Sequence, residues 1–236
     1  MQKSKRLEII KDYLRTHKDV QINEITKVLD VSESTIRRDV KKLAKDGFLK
    51  ELYGSIVYVE QRNEDVLLYN RLTENVEAKE KIGKKAAKLI DDNMLVFIDA
   101  GTTTFYLIKN IKAKNVTFVT NGLNIAIELQ KNNHKVYLLG GEIKLVTLAM
   151  IGEVAIDALS NYKFDLAFIG ANAIDKNGYT TPDPLEGVIK KQAIKHANNS
   201  IILADSSKLN STTKYQFATR EQCRLITELS DGGDLS

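Results

Sequence analysis

At 236 residues, 43% hydrophobic and 28% charged, the chain is too long for a disulfide miniprotein and too apolar for a disordered tail, so one large domain, or a large and a small one, is expected. A single cysteine, Cys223, excludes an internal disulfide; neither a signal-peptide stretch in MQKSKRLEII nor a run long enough for a membrane helix is present, which predicts a cytoplasmic protein. The net charge of +4 is unevenly placed, with 13 Lys and Arg against 9 Asp and Glu in residues 1–58 and 22 of each in residues 59–236, the pattern of a basic nucleic-acid reader attached to a neutral body.

Leu7, Ile10 and Leu14 recur at helical spacing and predict a helix from Lys3 to about His17. Ile22, Ile25, Val28 and Leu29 mark a second, short helix, and Asp30-Val31 makes a turn. Ser32 stands at the N-cap of a third helix whose buried stripe is Ile36, Val40 and Leu43. Helix, tight turn and helix form a helix-turn-helix. On a projection at about 100° per residue, Ser34, Arg38, Lys41 and Lys45 lie opposite that stripe, flanked by Thr35, Arg37 and Lys42. The acids Glu33 and Asp39 fall nearer the core edge. A recognition helix needs such a face, with Arg and Lys for phosphates and guanine edges and small residues where the backbone nears the groove. The plainer alternative is a solvated charged face; the preceding helix and turn favour the recognition helix.

Gly47 then serves as a C-cap, and Phe48 to Tyr58 reads as two short strands around a glycine turn, a wing with Lys50 and Tyr53 as candidate contacts. The hairpin could equally just cover the small core. The expected DNA-contacting set is therefore Ser32, Ser34, Thr35, Arg37, Arg38, Lys41, Lys42, Lys45 and Tyr53. The first domain is placed at residues 1–58. Residues 59–92 form a linker and a connecting helix, which runs from Glu74 to Ile90 on Val76, Ile82, Ala86 and Leu89 and stops at Asp91-Asp92-Asn93.

Residues 93–236 repeat one theme: an apolar strand, a polar loop, then a helical segment. The strands are Leu95 to Asp99, Val116 to Thr120, Val136 to Leu139, Phe164 to Ile169 and Ser200 to Ala204, continuous enough in apolar character to predict burial on both faces of a largely parallel sheet. Ligands of such α/β sheets bind beyond the carboxyl ends of the strands. There stand Asp99-Ala100-Gly101-Thr102-Thr103-Thr104, Asn121-Gly122, Gly140-Gly141, Gly170-Ala171-Asn172 and Asp205-Ser206-Ser207-Lys208. In Gly101-Thr102-Thr103-Thr104 a glycine, three hydroxyls and the N-terminus of a helix suit a phosphate, although such a loop alone is more often an ordinary turn and cap.

Val31-Ser32-Glu33-Ser34-Thr35-Ile36-Arg37-Arg38-Asp39-Val40, with Leu43 and Gly47, resembles the N-terminal signature of the DeoR family of bacterial transcriptional regulators. The wing departs from it, with Tyr53-Gly54-Ser55-Ile56 where the family commonly has His-Gly-Gly-Ala. The loops of the body, together with Gly178-Tyr179-Thr180-Thr181-Pro182-Asp183, are similar to the successive blocks of that family's sensor domain. The resemblance implies a fold like that of ribose 5-phosphate isomerase and a phosphorylated sugar as effector. Gly141-Glu142-Ile143-Lys144, Ile151-Gly152 and Thr180 to Pro184 resemble the repressors of fructose operons, which implies fructose 1-phosphate.

On that basis the expected effector set is Asp99, Gly101, Thr102, Thr103, Thr104, Asn121, Gly122, Gly140, Gly141, Lys144, Gly170, Asn172, Asp183, Glu186 and Lys208. Lys144, Lys190 and Lys208 are the cations placed to reach the phosphate, a surface position being the favoured alternative for Lys190. Asp183 and Glu186 would accept from sugar hydroxyls, or else act as N-terminal acids of the helix beside Pro184. Cys223 is expected to be buried. His17, His134 and His196 lack metal-ligand spacing, so no metal or cofactor is expected.

The expected protein is a repressor, a homo-oligomer on double-stranded operator DNA released by the sugar phosphate. The competing reading, a sugar-phosphate isomerase, lacks the Lys-Gly-Gly-Gly segment of those enzymes where this chain has Thr181-Pro182-Asp183-Pro184, and leaves the basic module without a task. A scaffold would show no salt-dependent DNA binding.

Overall fold

The computed structural model describes residues 3–230 apart from 18, 46–47, 53–54 and 59–67. The chain divides into two compact units, Met1–Asn70 and Arg71–Ser236.

The first unit contains helix α1 (Lys3–His17), strand β1 (Asp19–Gln21), helices α2 (Ile22–Leu29) and α3 (Glu33–Lys45), and strands β2 (Leu49–Leu52) and β3 (Ser55–Tyr58). The predicted stripes meet in one core: Leu7, Ile10 and Leu14 of α1, Ile22 and Ile25 of α2, and Ile36, Val40 and Leu43 of α3 are buried with Phe48, Leu49 and Ile56. The turn between α2 and α3 is tight because Asp30 takes a left-handed conformation, φ 48°, from which its N–H reaches the Thr26 carbonyl. Strands β2 and β3 pair antiparallel as the wing requires, and β1 joins them on the far side of β3, with Val20 opposite Ile56. Strand β1 escapes a periodicity argument because three residues cannot display one. Gly47 and the wing-turn residues Tyr53 and Gly54 lie outside the described residues.

The second unit begins in α4 (Leu68–Thr73), inside which the division falls, and continues with α5 (Val76–Ala87), β4 (Leu95–Ile98), α6 (Thr102–Phe105), β5 (Thr117–Thr120), α7 (Leu123–Lys131) and β6 (Lys135–Leu138). Then come β7 (Glu142–Lys144), β8 (Ala149–Ile151), α8 (Glu153–Ser160), β9 (Phe164–Gly170), β10 (Ala173–Ile174), β11 (Gly178–Thr181), α9 (Pro184–Lys195), β12 (Ala197–Leu203), β13 (Tyr215–Thr219) and β14 (Arg224–Ile226). The five predicted strands are all present and, with β14, form one six-stranded sheet in the order β14-β12-β9-β4-β5-β6, parallel throughout.

Alternating side chains of this sheet feed two cores. Phe97, Val119, Ile169 and Ile202 pack with Leu159 of α8 and Ile189 of α9 on one face. Val96, Ile98, Phe118, Phe168 and Leu203 pack with Ile82 and Ala86 of α5 and Ile125 and Leu129 of α7 on the other. Helix α5, read from sequence as part of a connection, is therefore a structural layer of the second unit. One strand corrects the expectation of two-sided burial: β6 is the sheet's edge, and Tyr137 and Leu138 stand 46% and 37% exposed on it. An apolar run shows that a strand exists, not that neighbours cover it. Strands β10, β11 and β13 form a small antiparallel sheet and β7 with β8 a hairpin, none of them evident from the sequence.

Candidate functional site

The first candidate site is the outer face of α3. Ile36, Val40 and Leu43 fix its roll by burial, and this turns Ser34, Arg37, Arg38, Lys41 and Lys42 to the exposed side, with Ser32 exposed just before the helix and Thr35 half-buried. The Ser32 hydroxyl meets those of Ser34 and Thr35 at 3.1 and 2.9 Å, so the entry to the helix is a cluster of small polar groups. The two acids behave differently from one another. Asp39 is 1% exposed and paired with Arg6 of α1, which ties α3 to the rest of the unit. Glu33, expected near the core edge, is exposed and holds Arg37 at 2.7 Å one turn on, because in the first turn it has no core to face. Part of the charge of Arg37 is thereby neutralised, while Arg38, Lys41 and Lys42 remain as the cationic ridge. Tyr53 and the side chain of Lys45 lie outside the described residues.

The second candidate site is a cleft in the body. Chain order explains its position: β4 to β6 run to one side of the sheet and β9 to β14 to the other, so the direction reverses between β4 and β9. Loops diverge at such a point and leave a crevice. The cleft is lined by Gly101, Thr102 and Thr103 after β4, by Gly170, Ala171 and Asn172 after β9, and by Asp205 and Lys208 after β12. Thr147, Glu186 and Lys190 close one flank. The first-turn N–H groups of α6 have no partner within the helix and carry the positive end of its dipole.

The expected effector residues divide into those at the cleft and those behind it. Gly101, Thr102, Thr103, Gly170, Asn172, Glu186 and Lys208 line it. Asp99, Thr104, Asn121 and Gly122 instead shape the floor. The Thr104 hydroxyl donates to the Asp99 and Gly101 carbonyls at 2.8 and 2.9 Å, and Asn121 Oδ1 accepts from the Ala100 N–H at 2.8 Å. Gly122 packs so closely that a Cβ there would stand 3.0 Å from Ala100 Cα. Gly140 and Gly141 are exposed beyond β6 and do not line the cleft, since β6 is the edge strand and β5 separates it from β4. Loop composition identifies strand ends; the lateral order of strands decides which ends meet.

Two lysines are corrected as well. Lys190, favoured as a surface residue, is 4% exposed; its ammonium forms an ion pair with Asp99, itself 2% exposed, and donates to the Gly170 carbonyl at 3.1 Å. Burial pushes the Asp99 carboxyl up from its ordinary pKa, with Lys190 and the Gly170 N–H pulling the other way. Lys144 does not line the cleft: it binds Asp183 at 2.7 Å and Glu186 at 3.3 Å, and Glu186 also accepts from the Thr147 hydroxyl at 2.7 Å. Asp183 is the N-cap of α9, its carboxylate accepting from Leu185 N–H at 2.8 Å, the helix-terminal role expected as its alternative, and it is not among the residues that line the cleft. Among the described residues, Arg71, Lys79 and Lys208 are the cleft cations outside any ion pair, and the Lys79 ammonium is held by backbone carbonyls.

Arg71, Glu74, Asn75 and Lys79 also line the cleft, from a stretch that the sequence assigned to a connection. One signal could have found them. Lys79 falls in the apolar stripe of α5 with Ile82 and Ala86, and a lysine in such a stripe must meet a polar partner inside. Cys223 is buried as expected, its thiol pushed up to about 12 by burial.

Asp183→Ala is expected to lower the unfolding free energy by about 1 kcal/mol through loss of the cap. Burial alone would raise the Asp183 pKa, but Lys144 and the N–H groups of Leu185 and Glu186 outweigh it and hold the folded value low. The contribution is therefore present at neutral pH and lost as pH falls through that lowered value. Urea unfolding of both proteins at pH 7 and pH 3 checks this: the gap should narrow in acid, and an equal gap at both would refute it.

Comparison with known proteins identifies the two domains. Residues 6–62 match the DeoR-like helix-turn-helix domain and residues 74–228 the DeoR C terminal sensor domain. The chain is 36% identical to the HTH-type transcriptional regulator FruR of Bacillus subtilis, over 94% of this chain and 89% of that protein. It is 34% identical to the HTH-type transcriptional repressor GlcR of the same organism, over 96% and 88%. With the lactose phosphotransferase system repressor of Staphylococcus epidermidis it shares 31% identity over 100% and 94%. Among solved structures, ribose 5-phosphate isomerase from Plasmodium falciparum aligns with a TM-score of 0.42 at 20% identity, over 56% of this chain and about half, 52%, of that one.

Proposed function

This chain belongs to the DeoR family of transcriptional regulators, and on that premise we propose that it represses a sugar-utilisation operon, in particular one for fructose, and leaves its operator when a phosphorylated sugar such as fructose 1-phosphate fills the cleft. The observation that carries the reading is the cleft's polarity. Lys208 and Arg71, outside any ion pair, line the same cleft as the Gly101–Thr103 turn, a combination suited to a phosphate, while Asn172 and Glu186 offer hydrogen-bonding groups to sugar hydroxyls. The fructose assignment is supported by the Gly141 to Lys144 and Thr180 to Pro184 segments, and a sugar-linked signal by a relative named as a phosphotransferase system repressor.

In this mechanism two or more copies place α3 helices in successive major grooves, and the effector binds one conformation of the body better, shifting the population away from the DNA-bound form. The exposed Tyr137 and Leu138 on the open edge strand support self-association of the bodies. A thermal-shift screen of sugar phosphates followed by titration into the operator complex tests the reading, because a ligand specific to the folded state raises its apparent stability. Fructose 1-phosphate at saturation should weaken operator binding; unchanged affinity would sink the proposed effector.

The DNA face makes a separate prediction. Arg38→Ala should cost about 1–3 kcal/mol of operator affinity and relax sequence preference at one base position, whereas Lys41→Ala should weaken binding to all sequences and reduce the salt slope by about 1. Fluorescence anisotropy over a range of salt distinguishes them, and operator binding indifferent to Arg38 would remove it from the reading set.

A further inference from the structure

The C-terminal end of α4 is gripped by two side chains, one lining the cleft and one closing the turn that lines it. Lys79 of α5 is 4% exposed, and its ammonium donates to the backbone carbonyl of Arg71 and, at 2.7 Å, to that of Glu74. The Tyr106 hydroxyl donates to the Leu72 carbonyl at 2.9 Å. Lys79 lines the cleft beside Gly101 and Asp205. Tyr106 is the C-cap of α6, the single turn that starts at Gly101. Between α4 and α5, Asn75 is left-handed at φ 51°, donates from Nδ2 to Asp205 Oδ1 at 3.1 Å, and gives its own carbonyl to the Lys79 N–H at 3.0 Å. A helix terminus is thus fastened, carbonyl by carbonyl, to the site.

That helix holds a particular place in the chain. The division between the two compact units falls between Asn70 and Arg71, within α4, and residues 59–67 lead into it from the winged unit. The grip is also one that a ligand can contest. Neutral carbonyls are the hydrogen-bonding partners of the Lys79 ammonium; burial lowers its pKa, an effect opposed by Asp205 and reinforced by Arg71 and Lys208. An anionic acceptor adds charge–charge attraction to its hydrogen bond with an ammonium, which a neutral carbonyl cannot supply.

We propose that Lys79 and Tyr106 carry the effector signal to α4: an anionic group bound at the Gly101–Thr103 turn draws the Lys79 ammonium off the Arg71 and Glu74 carbonyls and displaces the turn that ends in Tyr106, releasing the last turn of α4. The inference rests on the reading of the cleft as a sugar-phosphate site. Tyr106 is a positioning residue here, outside the cleft lining, whereas Lys79 meets the bound anion itself and passes the change to α4.

The test uses the full chain with fructose 1-phosphate as the probe and follows amide hydrogen exchange, which reports local opening. In the wild type, saturating probe should speed exchange over residues 68–75 at least about fivefold, the lower end of ordinary allosteric coupling. In Tyr106→Phe and Lys79→Gln that segment should exchange faster before any probe is added and change less than about twofold afterwards, and the probe-induced fall in operator affinity should shrink to match. Probe binding with unchanged exchange over residues 68–75 in the wild type overturns the proposal and leaves the effector reading standing. Absence of any thermal shift with the probe overturns both. Should Lys79→Gln fail to fold, Tyr106→Phe decides alone, since it removes one hydroxyl and no packing; wild-type coupling in that variant overturns the proposal.

Discussion

Replacing Lys190 with methionine is expected to lower the unfolding free energy of the second unit by about 3–5 kcal/mol, because it strands the Asp99 carboxylate in a site with almost no access to water. At roughly 2–4 °C per kcal/mol for a chain of this size, the melting temperature should fall by about 10 °C. The sign of the pH dependence follows from the raised Asp99 pKa. With Lys190 gone, only the Gly170 N–H still opposes burial at Asp99, its folded-state pKa rises further above the unfolded value, and stability is present below the unfolded pKa and lost as pH rises through the folded one. The deficit should therefore shrink toward acid pH. Adding Asp99→Asn to Lys190→Met should restore much of the loss, since an uncharged pair carries no ionic desolvation. Calorimetry on the two variants checks this, and a Lys190→Met protein within 1 kcal/mol of wild type would refute it.

Gly83→Ala sets two effects of opposite sign against each other. Alanine is favoured over glycine in a helix interior by about 1 kcal/mol. A Cβ on Gly83, however, would stand 2.5 Å from the Tyr106 carbonyl carbon and 2.9 Å from the Leu107 nitrogen, closer still to the Tyr106 oxygen. These are backbone atoms of the turn after α6 and cannot rotate away, so α5 must lift from Leu107 and Ile108, which lie in its core. Overpacking of this kind costs about 1–3 kcal/mol, and we expect it to win with a net loss of about 1 kcal/mol. Lys84→Ala, one residue on and exposed, should stay within about 0.5 kcal/mol of wild type. Denaturant unfolding of both variants decides the sign; a stabilised Gly83→Ala protein would show that α5 moves freely against the turn.

The helix-turn-helix was legible because Ile36, Val40 and Leu43 repeat at helical period and a left-handed Asp30 closes the turn between them and α2. The parallel sheet was legible because five apolar runs alternate with polar loops. What one-dimensional pattern does not hold is adjacency. Gly140 and Gly141 follow a strand as Gly170 does, yet only the latter follows a strand beside β4. Lys190 stood in α9 with nothing near it in sequence to balance its charge; its partner Asp99 lies on the far side of seven intervening strands of chain. Glu33 and Asp39 share a distance from the helix stripe but not a fate, because Arg6 reaches Asp39 and nothing covers Glu33.

The strand order has a consequence for synthesis. Strand β4 is made first among the six but lies inside the sheet, and its pairing of Val96 with Leu166 waits until β9 has emerged. By then the winged unit, whose contacts all lie early in the chain, is complete. A nascent chain that has reached only β6 therefore carries a complete winged unit and a three-stranded ribbon whose apolar β4 edge has no neighbour. Such an edge is a template for pairing with other chains. The order of translation thus completes the winged unit before the sheet of the second unit can close, and makes the interval from β6 to β9 a stretch over which the growing chain exposes an unpaired strand edge.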